Sequence, residues 1–324
     1  MKKIALICTV CILVLLVFSS CNKKEETTGY NVCVSKIIPH AALDAVEKGM
    51  QTYLETTDLE INYNYQTANG DVATAVSIAQ QFKDSDCDIS VGIGTPSAQA
   101  LANVFKDKNV IYSAITDPVG AGLTADNVCG VSDANPVAAQ IELFVKTTGA
   151  KTIGNIYASG EANGVTLKDQ AKAACEALGI GFEEVAISNS SEVKMAAQTI
   201  IDKVDGIYIA TDNAVISALA SVADVCSKAN KPLFVADPSN VENLDFLMAW
   251  GFNYYNIGVE TGKIVEKCLK GTSPKDIGIV KLTDPTQFEL WLNEDNAEKL
   301  GITFSSELLD SATVVIKDGN RVDK

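Results

Sequence analysis

Histidine and arginine are nearly missing from this chain of 324 residues: His40 is the sole histidine and Arg321 the sole arginine. A Ser–His–Asp triad or a Cys–His pair could draw only on His40, and no Gly-x-Ser-x-Gly turn is present. Without arginine near a cleft, an anion cannot be held by a guanidinium fork. A helix N-terminus, with its free amides and dipole, is the remaining device. No Gly-x-Gly-x-x-Gly follows the first strand-like run and no Walker A sequence occurs. Dinucleotides and nucleoside triphosphates are therefore excluded, and no cofactor is expected. Basic charge is scarce too: the formal charge is −15. Nucleic acid needs a basic face, so it is excluded as a partner, and a solubilising surface accounts for the acidity.

Cysteines are present but unpatterned. Cys8, Cys11 and Cys21 belong to the N-terminal stretch, and Cys33, Cys87, Cys129, Cys175, Cys226 and Cys268 show no C-x-x-C spacing. Buried free thiols are expected, with no metal site; export would permit a disulfide, but spacing assigns no pairing.

What the chain does have begins at its first residues. Lys2 and Lys3 precede an uncharged apolar run over residues 4–18, which ends at Ser19-Ser20-Cys21. A cationic start, a short apolar stretch and small residues before a cut read as a secretory signal over 1–20. The run is shorter than the ~20 residues of a membrane span. Cysteine after two small residues resembles the bacterial lipoprotein signal, which would make Cys21 the lipidated N-terminus and 21–29 a polar tether. The expected location is the cell envelope, lipid-anchored and facing outside the cytoplasm.

About 300 residues then remain, enough for two domains. Val/Ile-rich runs at 31–38, 60–65, 89–93, 110–114, 152–157, 182–186, 206–209 and 232–236 alternate with helical patterns. That alternation predicts an α/β chain of doubly wound parallel sheets with right-handed crossovers. The Gly/Ser/Asp/Asn/Pro cluster at 130–136 is the best break. A first lobe is expected over 30–133 plus about 253–275, and a second over 134–252 plus about 276–324.

Five polar segments follow strand-like runs, where open parallel sheets bind ligands. They are Pro39-His40-Ala41-Ala42-Leu43-Asp44, Thr95-Pro96-Ser97-Ala98-Gln99, Thr116-Asp117-Pro118-Val119-Gly120, Gly160-Glu161-Ala162-Asn163-Gly164 and Thr211-Asp212-Asn213. Thr95 and Ser97 are suited to cap a helix whose first turn contains proline. Capping alone would explain them singly; five such loops on one rim point to ligand binding.

These motifs, with Gly130-Val131-Ser132 and the stretch 254–258, resemble the ABC-transporter substrate-binding lipoproteins related to the tryptophan-transport protein. The resemblance runs in order along nearly the whole mature chain. It implies a type I periplasmic-binding fold, with two Rossmann-like lobes hinged around a small ligand, typically an aromatic or apolar amino acid. An ABC permease would be the partner and no catalysis is implied. On this view Thr95, Ser97 and the 95–99 backbone hold a carboxylate, while Asp117 and Asp212 are candidates for the ammonium. Capping competes as the role of Asp212. Asn213, Asn163 and Glu161 would close the cleft, and His40 would stack on or bond the ligand. Gln99, Thr116, Thr211 and Asp237 complete the expected set. The alternatives are a type I receptor for a sugar or nucleoside and, further off, an exported enzyme on the same fold.

Overall fold

The computed structural model describes residues 29–324. The signal, Cys21 and nearly all of the tether lie outside the described residues.

In the first half, apolar runs alternate with amphipathic helices and assemble as a parallel sheet. Its strands are β1 (Tyr30–Lys36), β2 (Ile61–Thr67), β3 (Ile89–Ile93), β4 (Asn109–Ile115) and β5 (Val128–Ser132). They lie in the order β2-β1-β3-β4-β5, so the winding direction reverses between β1 and β3. The second half repeats the plan with β6 (Thr152–Ala158), β7 (Gly181–Ile187), β8 (Gly206–Ile209), β9 (Leu233–Val235) and β10 (Met248–Phe252). Their order is β7-β6-β8-β9-β10, again all parallel. Strands β3 and β5 are buried at every position, as burial between helix layers requires. The result is two lobes of the type I periplasmic-binding fold.

Two expectations need correction here. Strand β5 occupies part of the segment read as a break, because Gly130 and Ser132 disguise it. A Cβ at Gly130 would stand 1.9 Å from the Tyr112 carbonyl oxygen, so only glycine allows this approach to β4. The tail also returns later than read. Residues Ile279–Lys281 form β11, parallel to β5 at the edge of the first sheet, so the first lobe extends past 276. The chain then enters the second sheet as β12 (Phe288–Asn293), antiparallel to β10. The strands β13 (Val314–Lys317) and β14 (Asn320–Asp323) close that edge.

The chain thus passes between lobes three times, near 133–136, at 253 and over 282–287. The passages are tied together. Gln140 donates to the carbonyl of Trp250 at 2.6 Å, and Asn253 bonds Glu289 at 2.6 Å and Gln287 O at 2.8 Å. Phe252 and Phe288 pack with ring centroids 4.1 Å apart. These contacts tie the neighbouring crossovers to one another.

The thiols also depart from expectation. Cys33 in β1 and Cys87, two residues before β3, form a disulfide. Parallel pairing of β1 with β3 sets Cys33 opposite Ser90, which brings the approach to β3 alongside it. Cys129, Cys175, Cys226 and Cys268 are free and buried.

One helix pair positions the site. Helix Ala41–Glu55 packs on helix Tyr254–Leu269 through Gly49 and Gly258. A Cβ on either glycine would lie 2.1 Å from a backbone oxygen of the other helix. This contact brings together the two helix starts, and with them His40 and Tyr254.

Candidate functional site

The loops at the carboxyl ends of the strands in both lobes converge on one cavity. It is lined by His40 and Leu43 after β1, Ala114 and Thr116 at the end of β4, and Asp133 after β5. The second lobe supplies Asn163, Thr211, Asp212, Asn213, Ile216 and Asp237, and Tyr254 starts the helix after the second crossover. The cavity is tight, with about 10 Å³ open to the centre of a water-sized sphere.

The local backbone explains how these side chains arrive. Ala114 adopts φ 57°, beside a break in register between Tyr112 and Ile115. Such a bulge redirects the end of a strand, and left-handed conformations of this kind are retained where the surroundings demand them. His40 precedes the first turn of its helix without capping it, so its ring is left to face the cavity. Asp133 accepts hydrogen bonds from the Tyr254 hydroxyl at 2.9 Å and the Thr116 hydroxyl at 3.4 Å. Asp237 accepts from the Ser239 amide at 2.8 Å.

Asp212 is committed elsewhere. Its carboxylate accepts from the amides of Ala158 at 2.7 Å and Val215 at 3.2 Å, binding the end of β6 to the next helix start. Gly164 makes room for it, since a Cβ there would lie 2.3 Å from Asp212 Oδ2. Glu161 sits behind the lining and accepts from Asn213 at 2.6 Å. Asp212 is thereby a helix cap that lines the cavity, and Glu161 holds Asn213 in place.

The electrostatics are one-sided. Asp133, Glu161, Asp212 and Asp237 are all buried, and among the described residues no lysine or arginine lines the cavity. Burial pushes the carboxyl of Asp133 up to about 6 and that of Asp212 to about 6. Burial and then the charge of Asp212 push Glu161 to about 7. Burial raises Asp237 as well, against the opposing pull of His40, and lowers His40. A buried carboxylate without a cation favours its proton, so this cavity is short of positive charge.

Several polar atoms there also lack partners. Both ring nitrogens of His40, Oδ1 of Asn163 and Oγ1 of Thr211 are buried without a hydrogen bond. Buried polar groups are normally satisfied, and unsatisfied ones gathered in one cavity mark where a ligand bonds.

Not every expected residue reaches the cavity. Thr95 and Ser97 are buried in the first lobe, where the Ser35 hydroxyl donates to Ser97 at 3.1 Å. Gln99 donates to the carbonyl of Ala121 at 3.1 Å. Asp117 closes its own turn by accepting from the Gly120 amide at 2.9 Å. None of these four lines the cavity, and Asp133 and Tyr254 do so instead. Tyr254 begins a motif noted in the sequence, and Asp133 follows Gly130-Val131-Ser132; a strand assigned at 128–132 would have placed Asp133 at a strand end.

Comparison with known proteins agrees with this geometry. The family model described as ABC transporter substrate binding protein matches residues 31–316. A tyrosine-binding protein from Clostridioides difficile is 32% identical over 291 residues, covering 86% of this chain and 83% of that one. A Streptococcus pneumoniae ABC domain solved in complex with L-Trp is 32% identical and covers 89% of this chain and 100% of that one, with a TM-score of 0.83. The ligand-free, open structure of a substrate-binding protein from Clostridium difficile is also 32% identical, over 86% and 96% of the two chains. Its TM-score is only 0.62. At equal identity, this chain superposes more closely on the liganded structure than on the open one. Fold, cleft and sequence agree that this chain belongs to the ABC transporter substrate-binding protein family.

Proposed function

We propose that this protein captures an amino acid with an aromatic or apolar side chain between its lobes and delivers it to an ABC permease. The observation that carries the reading is a buried interlobe cavity with three unsatisfied polar side chains, unneutralised carboxylates and apolar contacts from Leu43, Ala114 and Ile216. An α-amino acid supplies the missing cation, the acceptors for His40 and Thr211, and an apolar body. L-Trp and tyrosine, the ligands named for two relatives, fit that description. Closure from an open form then buries the ligand. The Lys2-Lys3 start and Cys21 support export and lipid anchoring at the outer face of a membrane, where such a receptor meets its permease.

One experiment tests capture and anchoring together. Wild type and Cys21→Ser are expressed in the native envelope, fractionated and purified without denaturation, and the retained small molecule is identified by mass spectrometry. Wild type is expected in the membrane fraction, the variant in the soluble exported fraction, and both with the same amino acid. A retained sugar or nucleoside would overturn the ligand class, and a variant still in the membrane would overturn the anchor.

A further inference from the structure

We propose that Cys129 and Cys268 are a redox-active thiol pair, joining on oxidation as a second disulfide that staples helix Tyr254–Leu269 to the sheet of the first lobe. The pair belongs to the packing of that lobe, whichever ligand the cleft takes.

Strand and helix geometry bring the two sulfurs together. The hydroxyls of Ser113 in β4 and Thr261 in the helix bond at 2.6 Å, so this face of the helix lies on β4. Side chains alternate along a strand, and Ile111 therefore shares the face of Ser113. Ile111 stands opposite Cys129 in the parallel pairing of β4 with β5, which puts the Cys129 thiol on that face too. On the helix, Cys268 follows Thr261 by about two turns, on the same side. Both cysteines fall in one apolar cluster, and their thiols share a hydrogen bond. A disulfide needs sulfurs presented by adjacent backbones, which this packing supplies. Cys175 and Cys226, by contrast, sit in separate apolar clusters of the second lobe.

The bond would act on the wall of the cleft. Strand β5 runs into Asp133 and the helix begins at Tyr254, whose hydroxyl donates to Asp133 at 2.9 Å. The same strand–helix pair is thus bonded at the cleft by oxygen atoms and at its far end by sulfur atoms. The helix is reached only through the second crossover, after β6 to β10 have been built. A covalent bond at the far end would therefore close the first lobe on itself, independently of the second.

The Cys33–Cys87 disulfide places this chain where thiol pairs meet an oxidant. The step is exchange with a disulfide, such as oxidised glutathione or a thiol–disulfide oxidoreductase. Cys268 is the attacking sulfur: it is 5% exposed while Cys129 is wholly buried, and the hydrogen bond from Cys129 holds its thiol below the ordinary value. Its thiolate attacks one sulfur of oxidised glutathione and expels a glutathione thiolate, which takes up the proton. Cys129 then gives up its proton and attacks the Cys268 sulfur, expelling the second glutathione. Two protons and two electrons leave the protein, and one oxidised glutathione becomes two reduced molecules.

The test is thiol mapping of the intact mature protein, as isolated and after oxidised glutathione is applied just below the melting transition, where buried thiols open to reagent. Samples are alkylated in denaturant without reductant, digested and read by mass spectrometry. The expected result is a Cys129–Cys268 cross-link, with Cys175 and Cys226 alkylated. The linked form should melt at least roughly 5 °C above the unlinked form without ligand. Cys129→Ala and Cys268→Ala should each abolish that oxidant-dependent rise. Alkylation of both Cys129 and Cys268 after oxidation, a lasting glutathione adduct on Cys268, or a bond from either to another cysteine would overturn the pair. A cross-link that leaves the melting temperature unmoved would overturn its stapling role.

Discussion

Asp133→Asn is expected to weaken amino-acid binding by about 3 kcal/mol, roughly two orders of magnitude, while raising the melting temperature of the ligand-free protein at neutral pH. Both effects come from one buried charge. The carboxyl is pushed up to about 6 by burial, from an ordinary value of 3.8. Between those values the folded chain holds a proton that the unfolded chain has released. The stability gained from that proton is present at low pH and is lost as pH rises through about 6. At pH 7.5 the ligand-free protein therefore holds a poorly compensated carboxylate, which asparagine removes. A ligand ammonium needs that same carboxylate ionised, so wild-type affinity should rise as pH increases from 5 to 7.5. The variant should lose most of that rise. Titration calorimetry and thermal melts at pH 5, 6 and 7.5 read both quantities. Unchanged affinity, or a variant with the pH profile of the wild type, would remove Asp133 from the site. Glu161 and Asp212 shift in the same direction and leave a residual pH dependence in the variant.

Loss of the Cys33–Cys87 disulfide is the second large effect. The bridge spans a sequence separation of 54. In the chain-entropy treatment, a loop of this length constrains the unfolded state by about 4 kcal/mol, and measured losses are commonly 2–5 kcal/mol. Strain is a poor counterweight here, because the Cα atoms lie 5.8 Å apart, within the ordinary range for a disulfide. Cys33→Ala with Cys87→Ala should therefore melt well below wild type, and a reductant should lower the wild type toward the variant. The cleft lies beyond the carboxyl ends of β1 and β3, away from the bridge, so affinity at a temperature where the variant is folded should change little. Equal melting of reduced and oxidised protein would show that the bridge adds nothing to stability.

Much of this molecule is legible in its sequence because parallel sheets advertise themselves. Runs such as Ile89-Ser90-Val91-Gly92-Ile93, buried on both faces, are bounded by turn residues and followed by helical patterns. The strand-end rule then selects His40, Thr116, Asn163, Thr211, Asp212 and Asn213, and the family resemblance adds Asp237; all seven line the cavity. Sequence alone does not reveal how far each loop reaches. Thr95 and Ser97 follow β3 but turn into the first lobe, because Ser97 pairs with Ser35 beneath them. Asp117 looks like a free counter-charge, yet its short turn consumes the carboxylate. Asp133 was hidden by the glycine that lets β5 approach β4, and the disulfide by a pairing of strands that no spacing encodes.

Calorimetric titration of the mature protein at pH 7.5 with L-tryptophan, L-tyrosine, L-phenylalanine and L-leucine, and with glucose and adenosine for comparison, tests the central claim most directly. The expected result is saturable binding of at least one of these amino acids, with a Kd of about 10 μM or tighter, and no heat from the sugar or nucleoside. Binding of glucose or adenosine with none from the amino acids, or chemical conversion of the bound amino acid, would contradict it.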